Sequence, residues 1–313
     1  MKKLFILLAL LLVAPRLSAQ TATLDTADVQ KDIVFLYAAS ADGTVDKNHP
    51  LGTGFFLSVP RLGDPSMSYV FLVTARHIVD PQWANCGISN PQKIFYRVNK
   101  KSYDPSQGTE GVGYIDLPLQ SRGNARFAVH TRDDIDVALI QLSPTEFNAS
   151  DYDVFFLPIV FMASDDETKD VGIGDLIASG GLLPGASGSN RNYPLFRFGY
   201  ISALPDEDLA TPCIPGGPPR YMRLWLVEAN LSPGASGSPV FYIPSFFSSG
   251  RKTIGRGVVI GTQSSSFLLA DVAGVTPISY AFDIIEGLHL PDANLYRGNP
   301  PPSPATPPKP KSN

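Results

Sequence analysis

The chain has 313 residues, a formal net charge of −4 and a hydrophobic fraction of 43%. This length suits one large domain or two modest ones, and the absence of a basic excess argues against nucleic acid as a partner. The 27 glycines and 29 prolines disfavour a long-helix architecture. Two cysteines are too few for a disulfide-stapled miniprotein or a Cys-rich zinc site.

The first residues are typical of a secretory signal peptide. Two lysines precede a short apolar run (residues 4–14) that is too short to cross a bilayer comfortably. We predict a signal peptide over residues 1–19, cut after Ala19 and followed by a short lead over residues 20–31; the alternative is an uncleaved membrane anchor. The mature protein is expected to be exported to the periplasm or the extracellular space, with no membrane contact after cleavage.

The next part of the chain alternates short aromatic and β-branched runs with turn residues. These runs predict strands at 32–38, 54–59, 68–74, 94–98, 137–142, 176–178, 196–201, 224–228, 240–242, 257–262 and 278–282. Many short strands without regular strand–helix alternation predict an all-β barrel or sandwich. Helix signals are confined to a turn near residues 75–79 and to residues 283–288.

A polar stretch around residues 148–153 separates the predicted strands into two halves. We therefore expect one unit over residues 32–147 and a second over residues 148–290. The chain then becomes rich in proline, which removes backbone donors and leaves little apolar surface to bury. Residues 291–313 are predicted to form an extended, disordered tail.

Three short motifs at the ends of predicted strands carry side chains suited to nucleophilic catalysis. His77 follows an apolar strand, and an imidazole is the natural general base near neutral pH. Asp136 opens an otherwise apolar strand, where a carboxylate is costly unless it has a partner such as a histidine. Ser236 lies in a glycine-rich turn that can expose its hydroxyl and direct the N–H groups of Gly234 and Ser236 at one point. Taken alone, each motif also has a purely structural explanation.

Together, the three motifs resemble those of the trypsin-like serine proteases. His77, Asp136 and Ser236 follow one another at gaps of 59 and 100 residues, and the segments TARH, DVAL and GASGSP match the family in type and order. GTGFF at residues 52–56 is similar to the strand that precedes the histidine, and the segments at 255–261 and 278–282 are similar to the last two strands. The resemblance spans roughly residues 32–290. It is closer to bacterial HtrA-like peptidases than to digestive trypsins, although no segment is left for a PDZ domain.

The resemblance implies two six-stranded antiparallel β-barrels of the chymotrypsin type and a short C-terminal helix. It implies a secreted serine endopeptidase: Ser236 attacks the peptide carbonyl, His77 transfers the proton, and Asp136 orients the imidazole. The N–H groups of Gly234 and Ser236 would hold the oxyanion. No cofactor or metal is expected, the partner is a protein or peptide substrate, and the chain is expected to be a monomer. The alternative is a catalytically inactive protease-fold protein that binds peptides.

The resemblance also locates a specificity pocket between the segment before the serine and the last two strands. Its walls are predicted to be Asn230, Leu231, Thr262, Gln263, Ser264, Ser279, Tyr280 and Ala281. Residues 229–233 include no carboxylate to offset the desolvation of a cationic side chain. We therefore expect small-to-medium apolar or uncharged residues before the scissile bond, unless Glu228 points into the pocket.

The serine motif departs from trypsins in one informative way and is duplicated. Ala235 replaces the acid that receives the new N-terminal amine when trypsins are activated, so activation by a freed amine is not expected. The hexapeptide PGASGS also occurs at residues 184–189, which makes Ser187 a rival nucleophile. Ser187 follows Asp136 by only 51 residues, which leaves too few strands between acid and nucleophile, so Ser236 is favoured.

The pairing state of the two cysteines stays open. Cys86 and Cys213 lie one in each predicted half, and an oxidising compartment permits a bridge, but the sequence does not show whether they are close. The histidines outside the triad, His49, His130 and His289, have no metal-ligand spacing.

Overall fold

The computed structural model describes residues 24–64, 66–144, 146–214, 216–229, 234–244, 256–267 and 271–297. The predicted signal peptide and the proline-rich chain beyond residue 297 lie outside these ranges. Within them, no helix is both long enough and apolar enough to cross a membrane. Residues 291–297, which the sequence predicts as tail, are bonded to the folded body: the Asn294 N–H donates to the Pro60 carbonyl at 2.7 Å. The ordered chain therefore extends past residue 290.

The described chain consists mainly of β-strands, as predicted. The first half contains β1 (Ile33–Ala39), β2 (Val45–Pro60), β3 (Ser68–Thr74), β4 (Lys93–Asn99), β5 (Val112–Pro118), β6 (Gln120–Ser121), β7 (Asn124–Ala125), β8 (Phe127–Val129), β9 (Ala138–Leu142) and β10 (Leu157–Pro158). The second half contains β11 (Leu176–Gly181), β12 (Leu195–Ala203), β13 (Leu209–Pro212), β14 (Pro219–Met222), β15 (Trp225–Glu228), β16 (Pro239–Tyr242), β17 (Val258–Phe267) and β18 (Val272–Pro277). The helices are α1 (Thr26–Asp32), α2 (Arg76–Val79), α3 (Asp165–Asp170) and α4 (Ser279–Gly287), with 3-10 turns at Pro105–Gln107, Ala149–Asp151 and Ile159–Phe161.

The second half forms the expected six-stranded barrel, and the first half is more open than expected. The barrel closes in the order β11-β12-β15-β18-β17-β16. The first sheet runs β5-β4-β1-β2-β3-β9-β8, with β10 added in parallel to β2. Its edge strands, β5 and β8, do not pair with each other in the described chain. One backbone bond, from the Arg126 N–H to the Leu119 carbonyl at 2.9 Å, joins the two edges. The first unit is therefore a curled half-barrel.

The C-terminal helix is confirmed, but it begins earlier than the sequence suggests. Residues 278–282 were predicted as a strand, whereas α4 starts at Ser279 and the last barrel strand is β18. Pro277 ends the β18 ladder, and the apolar residues beyond it recur at helical spacing. The buried set on this face is Ala281, Phe282, Ile284 and Ile285. The aromatic and β-branched composition of residues 278–282 predicted a strand. That local preference yields to tertiary packing, because a helix buries these apolar side chains on one face.

A disulfide joins the two halves and settles the cysteine pairing. Cys86 lies in the loop after α2, and Cys213 lies in the β13–β14 hairpin inserted between β12 and β15. Their Cα atoms are 5.2 Å apart and the sulfurs are bonded. Beneath them, Ala84, Met222 and Leu224 form a small buried cluster. The bridge therefore fixes the hairpin of the second half beside the helix that carries His77.

Candidate active site

His77 and Asp136 meet between the end of β3 and the start of β9. His77 lies in α2, directly after β3, and Asp136 lies two residues before β9, which pairs with β3. The two oxygens of the fully buried Asp136 carboxylate both bind His77. Oδ2 lies 2.8 Å from the imidazole Nδ1, and Oδ1 accepts the His77 backbone N–H at 2.9 Å. These two hydrogen bonds offset part of the free-energy cost of burying the charged carboxylate. They also hold the imidazole ring in one orientation.

This contact sets both the tautomer and the proton affinity of the imidazole. Because Nδ1 faces a carboxylate, it carries the hydrogen, and Nε2 is left with the lone pair. Burial of the ring lowers the pKa of His77, but the charge and the hydrogen bond of Asp136 act in the opposite direction, and the pKa is raised above its ordinary value. The pair therefore presents a strengthened base at Nε2.

The turn that carries Ser236 is held by backbone contacts to both halves. The Thr53 N–H donates to the Ser236 carbonyl at 2.8 Å, and the Gly237 N–H donates to the Gln263 carbonyl at 2.7 Å. Gly234 and Gly237 have φ values of +95° and +87°, a region that side chains with a Cβ rarely adopt. A Cβ on Gly237 would also lie 2.0 Å from the Thr53 carbonyl oxygen. The glycines of the motif are thus required by the geometry of the turn.

Close packing brings this turn against the histidine helix. A Cβ built on Gly52 would lie 2.5 Å from the Ile78 side chain and 2.8 Å from the Ser236 carbonyl oxygen, so Gly52 fits tightly between them. The residues next to His77 and Ser236 therefore pack at a single junction. Within the described chain, no hydrogen bond joins His77 Nε2 to Ser236 Oγ. Such bonds are often long in a free enzyme and tighten only with substrate.

The residues predicted to form the specificity pocket are only partly brought together. Thr262, Gln263 and Ser264 are buried on β17. The Ser264 hydroxyl contacts Thr276 Oγ1 at 2.6 Å and the Asp136 carbonyl at 3.4 Å. Asn230 and Leu231 lie outside the described residues.

The other three predicted wall residues lie on α4 instead of a strand. Tyr280 stacks edge-on against His130 and contacts Arg132, so it faces residues of the first half. Ser279 begins the helix and Ala281 is buried in its apolar face. Thr276, on β18, is the residue that meets Ser264. The sequence missed it because the last strand was placed too late in the chain.

Ser187, the rival nucleophile, lies in a different environment. Its carbonyl accepts the Arg97 guanidinium at 3.3 Å and the Tyr193 N–H at 3.4 Å. In the part of the chain that the structure describes, neither His77 nor Asp136 forms a hydrogen bond with Ser187. The loop between β11 and β12 that contains Ser187 instead packs on the first sheet.

Thr53 is a site residue that the sequence did not single out. Its hydroxyl accepts the Leu182 N–H and donates to the Gly234 carbonyl, each at 2.9 Å. Its backbone carbonyl accepts the Thr74 hydroxyl at 2.7 Å. Thr53 therefore connects the histidine strand to the serine turn. A threonine in a strand does not by itself indicate a functional role. The only indication in the sequence was that Thr53 lies in the GTGFF segment, which resembles the strand before the histidine.

The described residues include no group of three or more His, Cys, Asp or Glu side chains that could hold a metal ion.

Comparisons with known proteins give distant structural likeness. No family model matches the chain, and no curated protein matches its sequence. The MamO protease domain from Magnetospirillum magneticum is similar with a TM-score of 0.45 and 16% identity, over 85% of this chain and 98% of that one. The active form of the Rv3671c protease from M. tuberculosis has a TM-score of 0.44 and 17% identity, over 85% and 87% of the two chains. The thermostable serine protease AL20 from an extremophilic microorganism has a TM-score of 0.43 and 14% identity, over 82% of this chain and 99% of that one.

Proposed function

We propose that this chain is an exported serine endopeptidase that hydrolyses peptide bonds through an acyl-enzyme. One observation carries the proposal: a fully buried carboxylate, Asp136, binds both the ring and the backbone of His77, at the junction where the Ser236 turn packs. A buried acid that serves only to orient a histidine is difficult to explain by stability alone, because burying it is costly. The disulfide supports export, since such bonds persist in oxidising compartments.

The proposed reaction uses the three side chains and two backbone N–H groups as follows. His77 Nε2 removes the proton of the Ser236 hydroxyl as its oxygen forms a bond to the substrate carbonyl carbon, and the π electrons move to the carbonyl oxygen. The N–H groups of Gly234 and Ser236 stabilise that oxyanion. The protonated imidazole then gives its proton to the departing amine as the C–N bond breaks. Water, deprotonated by the same nitrogen, attacks the ester, and Ser236 leaves with the proton.

Uncharged residues are proposed before the scissile bond. Ser264, one of the expected wall residues, is buried and its hydroxyl bonds that of Thr276, so this part of the expected wall is neutral. Glu228 is exposed on β15, at a position paired with Tyr200. Neutral hydroxyls do not offset the desolvation of a cationic side chain.

A second candidate function is peptide binding without turnover. The same fold and the same cleft would serve it, and the missing His77–Ser236 hydrogen bond of the described chain is compatible with both candidates. The two candidates differ in a simple respect: an enzyme must have a nucleophilic serine, and a binding protein need not.

A fluorophosphonate probe separates the two candidates, because it forms a bond only with an activated serine. Folded wild-type protein should be labelled, with the adduct mapped to Ser236 by mass spectrometry. Ser236→Ala should abolish labelling, and Ser187→Ala, the matched control from the duplicated hexapeptide, should retain it. Well-folded protein that is not labelled would refute the enzyme and favour the binding protein. An adduct on Ser187 would show that the nucleophile was chosen wrongly.

A further inference from the structure

A buried arginine of the first sheet binds the loop that precedes β12. Arg97 lies on β4 and is 1% exposed. No carboxylate of the described chain lies within 4 Å of its guanidinium. Instead, its two terminal nitrogens donate to three successive carbonyls, those of Ser187 at 3.3 Å, Gly188 at 2.7 Å and Ser189 at 2.9 Å. A buried cation is costly without partners, so these carbonyls act as its solvation shell.

Further contacts fix the same loop, residues 182–193, on the first sheet. The Asn192 side-chain amide donates to the Arg97 carbonyl at 2.6 Å, and the Asn192 N–H donates to Asn99 Oδ1 at 2.7 Å. A Cβ on Gly111 would lie 1.9 Å from the Asn190 carbonyl oxygen, which shows how closely the two backbones approach. The 182–193 loop is therefore tied to β4 at its far end.

The near end of the 182–193 loop lies against the serine turn. A Cβ on Gly234 would lie 2.9 Å from the Pro184 ring and 3.5 Å from the Leu182 side chain. The Thr53 hydroxyl also bridges the two segments: it accepts the Leu182 N–H and donates to the Gly234 carbonyl. The loop thus reaches from Arg97 to the residue proposed to supply one oxyanion N–H.

The described residues beside the serine turn include no carboxylate at the position of Ala235. Ala235 is 4% exposed, and the cleft beside it is lined by Ser179, Gly181, Leu182, Leu195 and Arg197. These residues include no carboxylate that could receive an N-terminal amine. Contacts from Pro184 and from the Thr53 hydroxyl are among those that hold the turn.

We propose that Arg97 is a positioning residue for the oxyanion hole: by binding the carbonyls at 187–189 it fixes the 182–193 loop, and through Pro184 the loop fixes Gly234. This inference rests on the proposed function for its catalytic consequence. The mechanical part, the coupling of Arg97 to the Gly234 turn, can be measured without any turnover.

The test compares Arg97→Met with Arg256→Met. Arg256 is also buried and binds Glu167 and the Val160 carbonyl, but it does not contact the 182–193 loop in the described structure. Amide hydrogen exchange, followed by mass spectrometry, is measured well below the melting temperature of each variant. Arg97→Met should speed exchange in residues 182–193 and also in residues 234–238, whereas Arg256→Met should leave both segments as in the wild type.

The catalytic consequence is read from the rate of fluorophosphonate labelling and from peptide hydrolysis. Loss of a single oxyanion donor lowers kcat by roughly 10²- to 10³-fold, and a displaced donor should cost less, about 10- to 100-fold. The loss should fall on kcat and on the labelling rate, with KM within about threefold, because the substrate pocket is untouched. Arg97→Lys should be intermediate, since an ammonium cannot span three carbonyls as a guanidinium does.

If Arg97→Met does not fold, Asn192→Ala carries the test, because it loosens the 182–193 loop without altering the core of the first sheet. Faster exchange confined to residues 182–193, with residues 234–238 unchanged, would overturn the proposal, as would equal labelling rates in wild type and Arg97→Met. Wild-type protein that is not labelled at all would refute the protease, while the exchange data would still decide the coupling.

Discussion

Replacing Asp136 by asparagine tests the central contact of the site. The two carboxylate oxygens each accept an N–H group of His77, at 2.8 and 2.9 Å. An amide has only one oxygen. If that oxygen keeps the backbone N–H, the amide nitrogen faces Nδ1, which must become an acceptor, and the ring proton moves to Nε2. The base would then be protonated at the atom that must accept the Ser236 proton.

The expected loss is large because the wrong tautomer blocks the first step. A tautomer error of this kind lowers kcat by about 10⁴-fold, or about 5 kcal/mol of transition-state stabilisation. The pH profile should change as well. Asp136 raises the pKa of His77 against the effect of burial. Without that charge the pKa of His77 falls, and the acid limb of kcat/KM moves to lower pH.

The assay is the pH dependence of kcat/KM on a peptide substrate, with Asp134→Asn as the matched control. Asp134 lies two residues away and pairs with Arg132. The control should retain activity within about threefold, because a partly exposed ion pair contributes little. A loss below tenfold in Asp136→Asn, with an unshifted acid limb, would refute this reading of the site.

Further expectations concern stability and specificity. Gly237→Ala should lower the free energy of unfolding, measured by urea denaturation, by at least about 2 kcal/mol, because its Cβ would lie 2.0 Å from the Thr53 carbonyl oxygen. Its control is Gly123→Ala, at a similar φ but in open space, which should lower that free energy by only about 1 kcal/mol. Replacing Cys86 and Cys213 by serine should lower that free energy by about 2–5 kcal/mol, and a reductant should then shift the wild-type midpoint but not that of the variant. Burial raises the pKa of the Asp32 carboxyl despite two backbone hydrogen bonds, so the contribution of Asp32 to the free energy of unfolding should be greatest below about pH 4 and fall as the pH rises; the difference between wild type and Asp32→Asn, measured across that range, should show this slope. Cleavage of a peptide library should show uncharged residues before the scissile bond, and a clear preference for Arg or Lys would contradict that expectation.

The strands near the candidate site were predictable because their signal is local. The runs at 68–74 and 137–142 are short and apolar and match β3 and β9 closely, whereas the run at 54–59 gives only the last part of the much longer β2. The positions of His77 and Asp136 follow, since each lies at the end of such a run. Their mutual contact could be expected only from the resemblance, because no local pattern brings together residues 59 positions apart.

The remaining errors arose where tertiary packing decides the structure. Residues 278–282 have strand-like composition but bury one helical face in α4. The first sheet stays open because its edge strands, β5 and β8, do not pair in the described chain, which strand composition does not reveal. The β13–β14 hairpin has weak strand signals and is held by the disulfide and by the small cluster beneath it.

The span enclosed by the disulfide has a consequence for self-digestion. Cys86 and Cys213 are 127 positions apart, and the segment that connects the two halves lies between them. A cut anywhere in that span leaves two fragments that remain covalently joined. Such a nicked protein would run as one chain on a non-reducing gel and as two on a reducing gel. The proposed protease, on meeting its own exposed loops, can therefore accumulate internal breaks without its histidine-bearing and serine-bearing fragments separating.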